Sequence, residues 1–162
     1  LYIHSFPPRR SSDLSADGYA LMHLSGKPGS LAVGGLASLR SNHQGAGPEW
    51  QACVIRWALS QNSEHLELGL QILAPRAMRV ELLQDAGEDL PVVCPALLLP
   101  ALPPLQLLQR LVLPRGHDLN PTKRIVLVLA AETTAVREIS IVRREEQTAY
   151  IDILLIQNEE GP

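Results

Sequence analysis

Short apolar segments, each interrupted by glycine or proline, follow one another along the chain from Gly18 onward, and this spacing limits the folds that the sequence can adopt. Almost no segment keeps the period of an amphipathic helix over a useful length. Apolar runs of about four to eight residues between turn signals are typical of strands. The sequence therefore predicts an all-β fold.

The segment of residues 66–72 alternates apolar residues with polar residues or glycine, which predicts a strand with Glu67 and Gln71 facing outward. A proline-rich region leaves two alternatives open, because residues 105–111 can form a short helix or continue into the next strand. By residue number, the candidate strands are 19–24, 31–39, 51–59, 64–73, 78–84, 92–99, 107–113, 123–131, 136–143 and 149–156.

The acidic turn DAGEDLP separates these strands into two groups. With 162 residues, of which 46% are hydrophobic and 19% charged, the chain has a globular composition and suffices for one ordinary domain or two very small ones. We expect one small β-barrel over residues 15–84 and a second small β module over residues 91–157.

The run HSFPPRRSSDL, residues 4–14, has no apolar period and adjoins a strongly patterned chain. With one residue changed, it resembles the translation of a short-read sequencing adapter, HSFPTRRSSDL. We therefore expect residues 1–14 to be a leader that is either non-native or disordered, and the native amino terminus to be missing.

The charge and hydropathy patterns exclude some classes of partner. A formal net charge of −3 and a pI near 5.9 give no basic surface for a nucleic-acid polymer. Prolines between residues 91 and 104 interrupt the longest apolar run before it reaches the roughly 18 residues of a membrane span. We expect no nucleic-acid polymer among the partners, no membrane span and a cytoplasmic location.

Residues that commonly carry catalysis or bind metals are scattered. Cys53 and Cys94 lie in apolar runs without a CxxC motif, which predicts buried reduced thiols. The five histidines form no HxH or HExxH pair, and no serine lies in a GxSxG motif. The stretches SGKPGS and AVGGLAS lack the ending that a phosphate-binding loop needs. We expect no enzyme activity, no metal site and no cofactor.

One short element, Asp13-Leu14-Ser15-Ala16-Asp17-Gly18, combines groups suited to a ligand. Its carboxylate and hydroxyl can bond the donors of a guanine edge, and its glycine allows close approach to the backbone. An ordinary Asx or Ser turn before a strand explains the same residues. Trp50 and Trp57 leave a similar choice between packing and a platform for a base or sugar. The candidate ligand-binding residues are Asp13, Ser15 and Gly18.

These residues resemble the PilZ domain, the bacterial receptor module for cyclic di-GMP, whose pattern is an RxxxR arm followed by (D/N)xSxxG at the start of a small β-barrel. The stretches VGGLASLR, CVIRWAL and HLELGLQIL are similar to strands of PilZ-like proteins. The resemblance covers about residues 15–74. It implies a small antiparallel PilZ-like β-barrel, and the later residues are similar to an extra β module found behind some PilZ-like domains.

In that family, the arm arginines bind the phosphates of the cyclic dinucleotide and the (D/N)xSxxG residues bind a guanine face. The resemblance thus implies guanine binding by Asp13, Ser15 and Gly18. Arg9 and Arg10 are the only candidates for the phosphates, but they are adjacent rather than spaced as RxxxR and lie too close to Asp13.

Three functional hypotheses remain open. The first is a non-enzymatic cyclic di-GMP receptor of PilZ type in bacterial signalling, which passes ligand binding to a protein partner. The second is a degenerate PilZ-like scaffold that binds proteins and no nucleotide. The third is a small all-β domain with an unrelated ligand. An intact arginine arm distinguishes the first from the second.

Overall fold

A computed structural model of the protein describes residues 18–23, 31–41, 49–62, 65–84, 92–101, 108–117, 119–129 and 135–159. Within these ranges all regular elements are strands, so the all-β prediction is confirmed. No helix capable of crossing a membrane occurs in the same ranges. The chain divides into two compact units, Leu1–Arg76 and Ala77–Pro162.

The first unit contains a four-stranded antiparallel sheet in the order β1-β4-β3-β2. The long β3 and β4 form its centre, and they are joined by a short connection. The strands are β1 Gly18–His23, β2 Leu36–Ser41, β3 Glu49–Asn62 and β4 His65–Ala74.

Alternation along β4 gives this sheet its core face. Leu68 and Leu70 pack with Cys53 and Ile55 of β3, and each of the four side chains is at most 5% exposed. The polar residues of β4 alternate with these leucines and point to the opposite face, as the sequence pattern predicts. The apolar positions of one strand thus fix which face of the sheet is buried.

The second unit is a closed six-stranded antiparallel barrel in the order β10-β7-β6-β5-β8-β9. Closure leaves no unpaired sheet edge. The strands are β5 Met78–Gln84, β6 Val92–Leu99, β7 Arg110–Pro114, β8 Ile125–Leu129, β9 Ala135–Gln147 and β10 Ile151–Asn158.

Strand β5 belongs to this barrel, whereas the sequence pattern placed residues 78–84 with the first module. It pairs with β6 over its whole length and with β8 from Val80 to Gln84. Without β5 the barrel would open and expose two rows of backbone donors and acceptors. The closed barrel therefore lies in the second unit, and the described part of the first unit is a sheet. Residues 1–14 lie outside the described residues, so the leader remains a prediction.

Aliphatic side chains fill the barrel. Val80, Leu82, Leu98, Leu111 and Leu127 are each at most 1% exposed. Full burial of one such side chain contributes about 1.5–3 kcal/mol relative to exposure. The core of the second unit is thus built from inward positions on neighbouring strands of the closed barrel.

Both cysteines are free and buried, which confirms the sequence prediction. Burial raises the pKa of the Cys53 thiol from 9.0 to about 11, and a backbone hydrogen bond with Leu39 opposes this rise more weakly. Burial also raises the pKa of Cys94. Neither thiol has the depressed pKa of a reactive nucleophile.

Candidate functional site

Gly18 is the one predicted ligand-binding residue that falls within the described ranges. It begins β1, where it pairs with Gln71 of β4. Four other candidate residues lie outside the described residues, and their roles remain predictions: Arg9, Arg10, Asp13 and Ser15.

A β-bulge occurs in β3, which is separated from β1 and Gly18 by strand β4. Ile55 pairs with Leu70 of β4, but the next pair along the ladder is Trp57 with Gly69, which leaves Arg56 as the extra residue. An inserted residue interrupts the strict alternation of side chains along a strand. Trp57 therefore lies on the face of Gly69 rather than on the core face of Ile55.

The indole of Trp57 lies directly over Gly69. A Cβ atom at position 69 would collide with the indole Nε1, Cε2 and Cδ1 atoms. Glycine is thus the residue that allows the indole to pack against the backbone of β4. Trp57 remains 41% exposed, so one side of a large aromatic ring is available to solvent or to a ligand.

The Arg56 side chain reaches Gln71 on the same face. Its Nε donates a hydrogen bond to Gln71 Oε1 over 2.7 Å, and its NH2 group donates to the same oxygen. Gln71 in turn lies opposite Gly18. We call this surface the bulge face and define it by its members: Gly18, Arg56, Trp57, Gly69 and Gln71.

The bulge face combines three chemical features. The guanidinium of Arg56 supplies donors for an anion, and the indole supplies a stacking surface for a planar ring. Gly18 has no side chain, so a ligand can approach the backbone of β1, whereas the backbone of Gly69 lies under the indole. Such a combination suits a planar aromatic group that carries a phosphate.

The sequence indicated part of this surface but not the rest. Trp57 was recognised as either a packing residue or a stacking platform, and its exposure agrees with a rim position. Arg56 and Gln71 were missed as site residues. Gln71 was correctly predicted to face outward, but its contact with Arg56 depends on strand register, which no local sequence signal reveals.

A metal-binding cluster is not found in the described part of the chain, where no group of three or more His, Cys, Asp or Glu residues could hold an ion.

Comparison with known proteins finds a family similarity in the first part of the chain. Residues 8–78 match the family model described as the cyclic-di-GMP receptor FimW, middle PilZ domain. No curated protein and no solved structure matches the chain. The matched span includes every candidate ligand-binding residue and the whole bulge face. It also contains residues 15–74, over which the sequence motifs resemble the PilZ pattern. This match supports a PilZ-like domain within residues 8–78.

Proposed function

We propose that the PilZ-like domain binds cyclic di-GMP and acts as a receptor in bacterial second-messenger signalling. The match of residues 8–78 to a receptor PilZ domain is the observation that supports this proposal. A receptor role agrees with the expectation that the protein is not an enzyme. A receptor of this kind would act in the cytoplasm and pass the signal to a protein partner.

The bulge face supplies chemistry that fits one half of such a ligand. The guanidinium of Arg56 donates to the neutral amide oxygen of Gln71. A phosphate oxygen is a stronger acceptor for the same donors, because the hydrogen bond is then assisted by charge on both sides. The exposed indole of Trp57 can stack on a guanine ring, and such stacking contributes about 1–3 kcal/mol per base.

The amino-terminal residues complete the proposed site. Asp13 and Ser15 would accept and donate hydrogen bonds at a guanine edge, and Gly18 would let that guanine approach β1. The adjacent Arg9 and Arg10 do not reproduce the RxxxR arm. Arg56 would then provide a guanidinium to the phosphates from the sheet itself.

Isothermal titration calorimetry of the full chain with cyclic di-GMP tests this proposal. We expect the unmodified chain to bind, and we expect both Arg56→Gln and Trp57→Leu to weaken binding by about tenfold or more, because each loses about 1.4 kcal/mol or more of contact free energy. Replacing Ser15 or Gly18 by bulky residues should weaken binding without unfolding the sheet.

The exposed Arg79 of β5 provides a matched control, since Arg79→Gln removes the same charge outside the PilZ-like domain. The Arg79→Gln variant should bind cyclic di-GMP with the same affinity as the unmodified chain. Absence of binding by the folded, unmodified chain would refute the receptor proposal, and equal affinity of all variants would refute the role of the bulge face.

A scaffold that binds a protein instead of a nucleotide is the second candidate. One observation favours it: Leu59 lies two residues after Trp57 on β3, and the two apolar side chains are 52% and 41% exposed. Leu59 pairs with Glu67, so it shares the outward face. Exposed apolar side chains that lie next to each other are common at protein–protein interfaces. This candidate predicts no heat of binding with cyclic di-GMP and a loss of partner capture on Leu59→Ser.

A further inference from the structure

The second unit has a cavity of about 150 Å³ at one end of its barrel. Leu119, Ile141 and Leu154 are among the residues that form its apolar walls. Its polar lining comes from Arg144, Asp152 and His117. The mouth of a small β-barrel is a common location for a ligand. A cavity of this size accommodates an apolar group up to about the size of benzene.

Asp152 occupies an unusual position for a carboxylate. On β10 it shares the inward side with Leu154 and Ile156, which belong to the barrel core, and it is only 5% exposed. Its Oδ1 atom accepts a hydrogen bond from Gln147 Nε2 over 2.8 Å and lies 3.3 Å from Arg144 Nε. Its Oδ2 atom has no partner within the described ranges. A buried carboxylate is costly unless its oxygens are bonded.

Arg144 is the complementary half of this pair. Its Nε group contacts Asp152, and its side chain is 52% exposed. Its two terminal NH2 groups have no partner in the part of the chain that the structure describes. Two groups of opposite charge thus line one cavity, and each keeps its remaining hydrogen-bonding capacity for a third molecule.

The loop between β7 and β8 forms a fixed wall of the cavity. The buried Gln84 side chain bonds the backbone of Asn120 twice, as a donor over 2.8 Å and as an acceptor over 3.0 Å. The Asn120 side chain accepts hydrogen bonds from the backbone and the hydroxyl of Thr122. Leu119 therefore stands on a loop anchored to the barrel, so the cavity is preformed.

The start of β10 is fixed with similar precision. The backbone N–H groups of Tyr150 and Ile151 both donate to Thr148 Oγ1 over 3.1 Å. Ile151 also accepts a hydrogen bond at its carbonyl from Thr148 N over 2.9 Å. This tight turn holds Asp152 beside Gln147, so the carboxylate needs no rearrangement to receive a ligand.

We propose that this cavity binds a free α-amino acid with a branched apolar side chain. The ligand's ammonium would donate to Asp152 Oδ2, and its carboxylate would accept two hydrogen bonds from the terminal NH2 groups of Arg144. Its side chain would contact Leu119, Ile141 and Leu154. An anion alone would leave Asp152 Oδ2 unbonded, and a cation alone would face the Arg144 charge, whereas a zwitterion matches both. The site is independent of the function proposed for the first unit.

Calorimetry on the full chain tests this inference with L-leucine as the probe. Isocaproate, which lacks the ammonium, and isoamylamine, which lacks the carboxylate, are matched analogues. We expect L-leucine to bind and each analogue to bind at least about tenfold more weakly. The variants Arg144→Gln and Asp152→Asn should lose L-leucine binding to a similar degree.

Arg143→Gln is the matched control, because Arg143 is 68% exposed, lies next to Arg144 and pairs with Glu145 outside the cavity lining. It should bind L-leucine normally. Circular dichroism verifies the fold of each variant, and if Asp152→Asn does not fold, Arg144→Gln decides the matter. The proposal is overturned if L-leucine does not bind at about 1 mM, if the analogues bind equally well, or if Arg144→Gln has no effect.

Discussion

The contact between Trp57 and Gly69 leads to a prediction about the bulge face. Gly69→Ala places a Cβ atom within the indole ring and forces the ring away from β4. Such overpacking costs about 1–3 kcal/mol. Replacing a glycine inside a strand by alanine returns about 0.5–1 kcal/mol. We therefore expect Gly69→Ala to lower the free energy of unfolding of the first unit by up to about 2.5 kcal/mol.

A double-mutant cycle isolates this steric effect. In a Trp57→Ala background no indole occupies the space beside position 69, so Gly69→Ala should stabilise the first unit by about 0.5–1 kcal/mol. The effect of Gly69→Ala on the free energy of unfolding therefore differs between the two backgrounds by a coupling free energy of about 1–3 kcal/mol. Such a value exceeds the deviation of about 0.3–0.5 kcal/mol that independent sites show.

Urea unfolding followed by tryptophan fluorescence measures this coupling. The two tryptophans, Trp50 and Trp57, both lie in the first unit, so Trp50 remains as a reporter after Trp57→Ala. If the slope of the free energy of unfolding against urea concentration is the same for every variant, the urea midpoints give the differences in free energy of unfolding. Additive effects of the two substitutions within about 0.5 kcal/mol would refute the packing of the indole on Gly69 and the bulge that places it there.

Further predictions concern the core and the buried thiol. Leu127→Ala should destabilise the second unit by about 2–5 kcal/mol, measured by thermal unfolding, whereas the exposed Val136→Ala should cost under about 0.5 kcal/mol. Gln84→Ala should lower the free energy of unfolding of the second unit by about 1–3 kcal/mol, because it removes both hydrogen bonds between the Gln84 side chain and the backbone of Asn120. In the native chain at pH 8, Cys53 should react with a thiol reagent only as the first unit opens, since the rise of its pKa from 9.0 to about 11 lowers the thiolate fraction about 100-fold. This thiol should not affect the free energy of unfolding of the first unit below pH 9. Between about pH 9 and 11 that free energy should fall, because the thiol ionises at a lower pH in the unfolded chain than in the folded chain. Cys53→Ala should remove this fall.

The local pattern was sufficient for most strands. Residues 92–99 were predicted as a strand on their apolar run and form β6 over the same range. Residues 78–84 likewise form β5. Short apolar runs between turn signals identify strands well because each strand must bury at least one face. The pattern alone did not show which strands pair, and β5 was grouped with the wrong neighbours for this reason.

The PilZ-like character of the first unit was also readable from the sequence. The ordered stretches VGGLASLR, CVIRWAL and HLELGLQIL lie within the span that matches the PilZ family model. The motif Asp13 to Gly18 lies within it as well. Order and spacing of several loose motifs thus carried information that no single motif carried.

The tertiary structure decided the composition of both candidate sites. Simple alternation would place Trp57 on the core face with Cys53 and Ile55, but the bulge at Arg56 moves it to the outward face. Arg144 and Asp152 meet because two strands pair across a tight turn and a register shift. The sequence by itself indicated the strands and the resemblance to PilZ domains, because alternation and motif order are local. Register, bulges and barrel closure decided which distant side chains meet, because these depend on pairing between strands.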